Sequence, residues 1–230
     1  MVCHTRSGLV SALLPALMIG FGLGAAVAIS ATATAAPVTP QATPQATPID
    51  YAMEEGPSMK GPRGYYELCA RDAAACPAPR EPRGPVMIRL SAAAWSALDT
   101  VNREINAAYV PATDYEAHGV ADLWQMPHVT ADCEDYVIAK RQALIARGWP
   151  AEALLIGVVK GTLSPYHAVL VVRTDSGDLV LDNMRDEVLG WTHSGYEWVV
   201  RQSQHDPATW VRIIGKRQAP AQSQPLSTAG

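Results

Sequence analysis

One cysteine set among carboxylates, at the expected start of a helix, constrains this chain more than any other feature. The stretch reads Asp132-Cys133-Glu134-Asp135-Tyr136. Apolar side chains then recur at helical spacing as far as Arg147, and Gly148 follows, which is a usual residue just beyond a helix C-terminus. Cys133 lies four residues before Val137, so it shares a helix face with the apolar stripe. The sequence therefore predicts an inward-facing thiol at a helix N-terminus.

After Pro150 the sequence changes from a helical pattern to short strands. The predicted strands and extended stretches cover residues 86–90, 154–159, 167–172, 179–183, 197–201 and 210–214. Upstream, a short helix is predicted over residues 66–75, and a longer helix, capped by Ser91, is predicted to run to about Ala108. Residues 111–130 are predicted to form an irregular loop, and a loop of that length in a compact domain is typically functional or disordered.

The composition of the two ends of the sequence does not predict a packed core. Residues 1–36 combine a basic start, a long apolar segment and an alanine-rich end, which predicts a secretory signal peptide; an uncleaved inner-membrane anchor is the alternative. Residues 37–64 contain a Thr/Pro/Gln/Ala repeat and are predicted to be an extended linker. The folded domain is expected over residues 65–215, with a disordered tail over residues 216–230. The expected location is the periplasm or the extracellular medium.

Charge and cysteine content limit the functions that the chain can have. The net charge is −4 at pH 7 and no basic run is present, so nucleic acid is not an expected partner. Of the four cysteines, Cys3 falls in the signal peptide, whereas Cys69 and Cys76 are close enough in sequence to pair in an oxidising compartment. That pairing would leave Cys133 as an odd, candidate reactive thiol. A merely buried Cys133, or one bonded to either of the other two, is equally consistent with the count.

The charges around Cys133 have opposite effects on thiolate formation. The N–H groups of a helix N-terminus lower the pKa of a thiol, whereas the neighbouring Asp132, Glu134 and Asp135 raise it. A paired imidazolium, or a cation bound to the carboxylates, would offset these anions. Capping of the helix by Asp132, with Asp135 as its partner, is an alternative role for the same side chains.

His167 is the candidate general base. It opens an apolar strand, whereas the other histidines of the domain lie in loop or turn-like segments. Asp182 ends the next predicted strand and would orient the imidazole if the two strands form a hairpin. Direct opposition of the two residues requires a turn centred between Thr174 and Asp175, whereas the most turn-like pair, Ser176-Gly177, comes slightly later. The register is therefore open, and a bulge or a longer loop would reconcile the two.

These residues resemble the motifs of the bacterial transglutaminase-like cysteine proteinases, a family that includes LapG-like periplasmic peptidases. The matching parts are residues 132–136, Lys140, residues 167–170, residues 181–183, residues 122–127 and the Cys69/Cys76 pair, and the resemblance covers about residues 65–215. The chain departs from the family pattern at Ala131, because family members often have glycine just before the Asp-Cys pair.

The resemblance implies an α+β fold of the papain-like, transglutaminase-like type, in which the catalytic cysteine lies at a helix N-terminus packed on an antiparallel sheet. It also implies a Cys133–His167–Asp182 triad. Calcium is the implied metal, bound by Asp132 and Glu134 with Asp135 as a further candidate, and no organic cofactor is expected. The implied partners are a protein substrate of the large surface-adhesin type and an inner-membrane regulatory receptor.

The expected activity is that of a cysteine endopeptidase. Cys133 would attack an amide carbonyl while His167 transfers the proton, and water would hydrolyse the resulting thioester. The backbone N–H of Cys133 is one expected oxyanion donor, and Trp124 or Gln125 is a candidate for the second. Two alternatives remain: a transglutaminase, in which an amine replaces water, and a non-catalytic binding module of the same fold.

Overall fold

The computed structural model describes residues 51–76, 86–160 and 165–218. The predicted signal peptide over residues 1–36 and the greater part of the predicted C-terminal tail lie outside the described residues. In the described part of the chain, no helix is both long and apolar enough to cross a membrane.

A seven-stranded antiparallel sheet is the framework of the domain. The strands in the described part of the chain are, in order, β1 (Tyr51–Met59), β2 (Val110–Pro111), β3 (Thr130–Ala131), β4 (Leu154–Lys160), β5 (His167–Thr174), β6 (Gly177–Leu181), β7 (Leu189–Gly190), β8 (Glu197–Gln202) and β9 (Trp210–Gln218). The order across the large sheet is β1-β9-β8-β4-β5-β6-β7, while β2 and β3 form a separate parallel pair. Strands β4 and β5 therefore lie in the middle of the sheet.

Within the described residues, four α-helices precede the central strands. They are α1 (Arg63–Arg71), α2 (Ala92–Ala108), α3 (Asp114–His118) and α4 (Cys133–Ala146). The predicted capping of α2 is confirmed, since Oγ of Ser91 accepts a hydrogen bond of 3.1 Å from the backbone N–H of Ala94. The predicted stop of α4 is also confirmed, because Gly148 follows it with a φ of 85°.

The core lies between the helices and one face of the sheet. Leu98 and Val101 of α2 and Leu144 of α4 are buried against β4 and β5, which contribute side chains such as Leu170. On the opposite face, Val171 of β5 is also fully buried, in a cluster with Met53 and Leu155. Because both faces of β5 are covered, its sequence is continuously apolar rather than alternating. The chain therefore has the expected α+β architecture, with the N-terminus of α4 packed on an antiparallel sheet.

The predicted linker over residues 37–64 is wrong at its C-terminal end. Tyr51–Met59 is strand β1, which pairs antiparallel with β9 at the edge of the sheet. The strand was missed because its register is interrupted twice and its exposed side is polar, so the alternation that identifies strands is absent. Likewise β9 continues to Gln218, slightly into the predicted tail.

Buried polar contacts attach β1 to the rest of the sheet. The backbone N–H of Met53 donates to Oδ2 of Asp178 at 2.7 Å, and Glu55 accepts from the guanidinium of Arg201 at 2.5 Å. Arg201 also donates to Asp178 at 3.3 Å, and both of these side chains are completely buried. A buried charge left without its partner is strongly destabilising, so β1 is an integral part of the domain.

Three smaller predictions about elements need adjustment. The short helix predicted over residues 66–75 begins earlier, at Arg63, and ends at Arg71; a 3-10 turn over Ala73–Ala75 follows it. Residues 86–90 are not a strand and make a single bridge, between Ile88 and Thr174. The loop over residues 111–130 contains helix α3, which starts with a capping box of Thr113 and Glu116.

The predicted disulfide between Cys69 and Cys76 is present. The two Cα atoms are 5.6 Å apart, and the bond joins α1 to the 3-10 turn that follows it. This pairing is one of the alternatives that the cysteine count left open.

Candidate active site

The N-terminus of α4 places Cys133 against the central strands. Cys133 is the first residue of the helix and is completely buried. Its Sγ accepts a hydrogen bond of 3.2 Å from the backbone N–H of Ala168 in β5, and Oε2 of Glu134 lies 3.1 Å from the same sulfur. Since Ala168 directly follows His167, the helix N-terminus, the sulfur and the start of β5 meet at one place.

The thiolate is the nucleophilic form of cysteine, and the N–H groups of a helix N-terminus favour it. The reactive thiol that the cysteine count suggested at Cys133 stays a prediction.

His167 and Asp182 form a buried hydrogen-bonded pair. Nε2 of His167 lies 2.8 Å from Oδ1 of Asp182, and neither residue is more than 4 % exposed. The pairing of β5 with β6 is regular from Leu170–Leu181 to Thr174–Gly177, so the two residues are diagonal neighbours rather than directly opposed. Neither a bulge nor a longer loop is needed, because side chains two positions apart on one face of a sheet can reach each other.

The environment of Asp182 keeps its carboxylate ionised. Burial alone would raise its pKa, but hydrogen bonds from His167, from the hydroxyl of Tyr196 and from the backbone N–H of Met184 outweigh burial and lower the pKa to about 2. An ionised carboxylate beside an imidazole stabilises the charged form of the ring. The pair therefore has the properties of a base and its orienting group.

Two asparagines of α2 hold the backbone that follows Asp182. Nδ2 of Asn106 donates to the carbonyl groups of Asp182 and Arg185, each at 3.0 Å. Nδ2 of Asn102 donates to the carbonyl groups of Arg185 and Asp186, at 3.1 and 3.0 Å. These side chains are one helical turn apart and face the same way. Neither asparagine was among the site residues predicted from the sequence.

A cluster of three buried carboxylates lies next to Cys133. Ligand oxygen atoms of Asp114, Asp132 and Glu134 lie within 4.8 Å of one another, and all three residues are buried. Burial raises the pKa of each, and the charge of Asp114 adds to the rise for Asp132, whose pKa reaches about 7. Asp132 and Glu134, the metal ligands that the family resemblance implied, both belong to this cluster. Asp114 was missed, although the Thr-x-x-Glu capping signal around it could have shown that a short helix starts there.

The donor set of this cluster fits a calcium ion. Carboxylate oxygens are the ligands that Ca²⁺ prefers in proteins. Oδ1 of Asp132 is buried and has no hydrogen-bond partner among the described residues, while Oδ2 accepts from the backbone N–H of Asp114 at 3.3 Å. A buried carboxylate oxygen without a donor is costly unless a cation compensates it. The residues that could hold the ion are therefore Asp114, Asp132 and Glu134.

Asp135, the further candidate ligand, lies outside this cluster of mutually close oxygen atoms. Its Oδ1 accepts from the backbone N–H of Gln125 at 3.0 Å, and burial together with the charge of Asp132 raises its pKa to about 8. Asp135 thus ties the loop before α4 to the helix. The predicted side-chain capping of α4 by Asp132 is wrong, because the Asp132 carboxylate makes no capping hydrogen bond and is turned toward Asp114 instead.

Neither of the two candidates for a second oxyanion donor has its donor group free in this structure. Nε1 of Trp124 donates to Oδ1 of Asp122 at 3.1 Å, and the indole is completely buried in the core. The backbone N–H of Gln125 donates to Asp135, and its side-chain amide lies 2.9 Å from Nε2 of His118. Trp124 therefore packs as a core residue, the role most common for tryptophan.

A family model described as bacterial transglutaminase-like cysteine proteinase matches residues 55–218, well over half of the chain. The match includes every residue of the site described above. The first matched residue, Glu55, lies within β1, so the family match includes part of this edge strand. None of the curated proteins matches the sequence.

Solved structures of LapG from Legionella pneumophila are similar to this chain. The calcium-bound form is 24% identical with a TM-score of 0.43, and the match covers 56% of this chain and 74% of that one. The EGTA-treated form is 26% identical with a TM-score of 0.43, and coverage is 56% and 72%. A third LapG structure is 27% identical with a TM-score of 0.43, and coverage is 50% and 67%. The family assignment rests on the sequence match over residues 55–218.

Proposed function

Because the chain belongs to the family of bacterial transglutaminase-like cysteine proteinases, we propose that it is an exported cysteine endopeptidase with a Cys133–His167–Asp182 triad. The observation that supports this most directly is the buried 2.8 Å hydrogen bond between His167 and Asp182, one residue from the backbone N–H that contacts Sγ of Cys133. A nucleophile, a base and an orienting carboxylate are the three parts that amide hydrolysis by a thiol requires.

The ring nitrogens of His167 have separate tasks in this mechanism. Asp182 holds Nε2, so Nδ1 is the nitrogen left to take the proton from the Cys133 thiol. The thiolate then attacks the carbonyl carbon of the scissile peptide bond, and the imidazolium returns its proton to the leaving amine. Asp182 remains ionised throughout and stabilises the imidazolium, because its pKa is about 2.

The acyl group is carried by sulfur in the intermediate. The backbone N–H of Cys133, at the start of α4, is one donor to the oxyanion, and the helix N-terminus stabilises the same negative charge. His167 next takes a proton from water, and the hydroxide adds to the thioester carbon. The C–S bond then breaks, releasing the carboxylic acid and restoring the thiol.

Replacement of Cys133 tests the nucleophile. The Cys133→Ala variant should have no measurable peptidase activity but should keep the melting temperature of the parent to within a few degrees, because only one buried sulfur atom is removed. Activity would be followed by mass spectrometry of a protein substrate under reducing conditions. Ser203→Ala, which alters a hydroxyl bonded to Glu55 on another strand, is the matched control and should retain activity. Turnover by the Cys133→Ala variant equal to that of the parent would refute the triad.

Calcium is assigned in this proposal to Asp114, Asp132 and Glu134. Bound there, Ca²⁺ would neutralise carboxylates beside Sγ and so favour the thiolate form of Cys133. The expected result is that calcium chelation abolishes peptidase activity and added calcium restores it. Asp114→Asn should weaken calcium binding at least about tenfold by calorimetry. Glu116→Gln, an exposed change on the same short helix, should not. Unaltered calcium affinity in Asp114→Asn would exclude Asp114 as a ligand.

The substrate in this proposal is a protein of the large surface-adhesin class that the sequence resemblance implies. The enzyme acts in the periplasm, where an inner-membrane receptor regulates it. A suitable test incubates the enzyme with the N-terminal region of such an adhesin and measures product masses. Cleavage adds one water across the two fragments, whereas a transglutaminase would give a cross-linked product that has lost ammonia. Cross-linking without fragments would favour the transglutaminase alternative.

A further inference from the structure

We propose that Tyr196 is a positioning residue of the active site, which fixes the Asp182 carboxylate through its hydroxyl and packs its ring on His167. The inference rests on the proposed function, since it concerns the same site. Tyr196 lies in the turn directly before β8 and was not among the site residues predicted from the sequence.

The hydroxyl of Tyr196 completes the hydrogen bonds of the Asp182 carboxylate. It donates to Oδ2 at 2.5 Å, while Oδ1 lies 2.8 Å from Nε2 of His167 and accepts from the backbone N–H of Met184 at 2.9 Å. With partners on both oxygens, the carboxylate cannot rotate about its Cβ–Cγ bond without losing one of them. Tyr196 thereby keeps Oδ1 directed at the imidazole.

The ring of Tyr196 packs on the imidazole itself. The ring centroids of Tyr196 and His167 are 5.6 Å apart at an interplanar angle of 54°. The guanidinium of Arg185 also packs on the Tyr196 ring, 5.5 Å from its centroid, and Nε of Arg185 lies 3.6 Å from Oδ2 of Asp182. One side chain therefore contacts the carboxylate, the imidazole and the cation next to them.

The backbone before β8 is built to hold Tyr196 in this position. Gly195 has a φ of 74°, a conformation that favours glycine, and it directs the chain back toward the sheet. Oγ of Ser194 donates to the carbonyl of Trp191 at 2.7 Å and accepts from the backbone N–H of Tyr196 at 3.4 Å. Tyr196 is thus placed by a fixed turn rather than by its own side-chain contacts alone.

Removal of the hydroxyl should loosen the Asp182 carboxylate. The cations near this carboxylate, Arg185 and Lys140, stay in place in a Tyr196→Phe variant. Oδ2 of Asp182 nevertheless loses the donor that opposes rotation of the carboxylate, so Oδ1 is directed at the imidazole less of the time. An imidazole that is held less firmly is less often oriented for proton transfer, and kcat falls.

The first test measures steady-state kinetics of Tyr196→Phe under reducing conditions with calcium present. We expect kcat to fall roughly tenfold and KM to change less than about twofold, because the hydroxyl acts through Asp182. Tyr65→Phe is the matched control. It also removes a hydroxyl with a buried partner, Gln202, but contacts neither Asp182 nor His167, and it should leave kcat unchanged. A Tyr196→Phe enzyme with kcat within twofold of the parent would overturn the proposal.

The second test does not depend on activity. The ring signals of His167 are recorded by NMR of ¹⁵N-histidine-labelled protein in the Cys133→Ala background, with a His167→Gln sample to assign them. Adding Tyr196→Phe should shift the ¹⁵N signal of Nε2, because this nitrogen is hydrogen-bonded to the carboxylate that the hydroxyl holds. Adding Tyr65→Phe should leave the signal unchanged. An unchanged Nε2 signal in the Tyr196→Phe protein would overturn the positioning role. If Cys133→Ala itself remains active, the proposed function fails, while this NMR comparison still decides the role of Tyr196.

Discussion

Asp182 is the residue at which most of the described contacts of the site converge. The two carboxylate oxygens accept from a histidine, a tyrosine and a backbone N–H, and the carbonyl of the same residue is held by Asn106. We expect Asp182→Asn to lower kcat by about 10²- to 10⁴-fold, because the neutral amide cannot stabilise the imidazolium.

A matched change separates this loss from a general effect of the Asp-to-Asn substitution. Asp175→Asn alters a carboxylate in the β5–β6 turn that accepts from the backbone N–H of Leu90 at 2.9 Å. It should cost stability but keep kcat. Rates from stopped assays and melting curves of both variants check the prediction, and a fully active Asp182→Asn enzyme would contradict it.

The buried carboxylates beside Cys133 predict how the stability of the calcium-free protein depends on pH. Burial raises the pKa of Asp132 to about 7 and that of Asp135 to about 8. In the unfolded chain both groups titrate near pH 4. Between these values the folded state binds more protons than the unfolded state, so stability falls as pH rises. The stability that the raised pKa values of Asp132 and Asp135 contribute is fully present below about pH 4. It is lost as the pH rises through their folded-state pKa values of about 7 and about 8.

Calorimetry of the calcium-free chain at pH 5 and pH 7 tests this sign. The melting temperature should be lower at pH 7, and added calcium should recover part of the difference, because it stabilises the ionised cluster. Lys140, whose pKa burial lowers to about 7, affects stability only at higher pH. The double variant Asp132→Asn/Asp135→Asn should have a flatter profile. A higher melting temperature at pH 7 than at pH 5 without calcium would show that the sign is wrong.

At the residue scale, the sequence indicates candidates because their chemistry is visible in the residue type. A lone cysteine at a helix start, a histidine opening a strand and an aspartate closing the next one can be identified without coordinates. Asp114 and Tyr196 could not be identified in this way. Each belongs to a separate irregular stretch, and only the tertiary fold brings it to the site.

At the element scale, the disulfide closing α1 onto the following 3-10 turn should stabilise the domain. The pair is separated by seven residues, and closing a loop of that size reduces the entropy of the unfolded chain. We expect the double variant Cys69→Ser/Cys76→Ser to lose about 2 kcal/mol of unfolding free energy.

Urea denaturation in the Cys133→Ala background measures this loss without interference from a third described thiol. The single variant Ala74→Ser, within the same loop, is the control for adding a hydroxyl there and should change stability little. Equal midpoints for the disulfide variant and the background would show that the bond does not stabilise the native state.

Elements with strong periodicity were predictable, and irregular ones were not. The ends of α2 and α4 follow from a serine cap and a glycine stop, and β4, β5 and β6 follow from their apolar runs. The register of β5 on β6 was open because the sequence around Ser176 allows several turn lengths, which differ in which residues face each other. Strand β1 was missed because its bulges interrupt the alternation.

At the scale of the whole molecule, the edge strand β1 decides where the domain begins. A chain that starts at Pro48 keeps the buried Met53 and the contact between Glu55 and Arg201, whereas a chain that starts at Lys60 loses both. We expect the shorter chain to be less stable by at least about 3 kcal/mol, because a core side chain is removed and a buried guanidinium loses its partner.

Urea midpoints of these two truncated proteins, measured side by side, check the prediction. Both proteins lack residues 1–47, so the difference between their midpoints reports the contribution of β1. Equal midpoints would mean that the folded domain begins near residue 65, as the sequence predicts. The α+β class followed from the family resemblance, whereas an edge strand whose partner is the last described strand has no local signal in the sequence.

The pairing of β1 with β9 also has a consequence for protein engineering. Tyr51 is the partner of Gln218, so the two ends of the sheet are neighbours across one strand spacing, about 5 Å. A few flexible residues could therefore join them, and new ends could be opened in the β5–β6 turn. Such a circular permutant would have its termini in the turn that joins the strand of His167 to the strand before Asp182. Its activity would show whether the alignment of His167 with Asp182 depends on the covalent connection between the two strands.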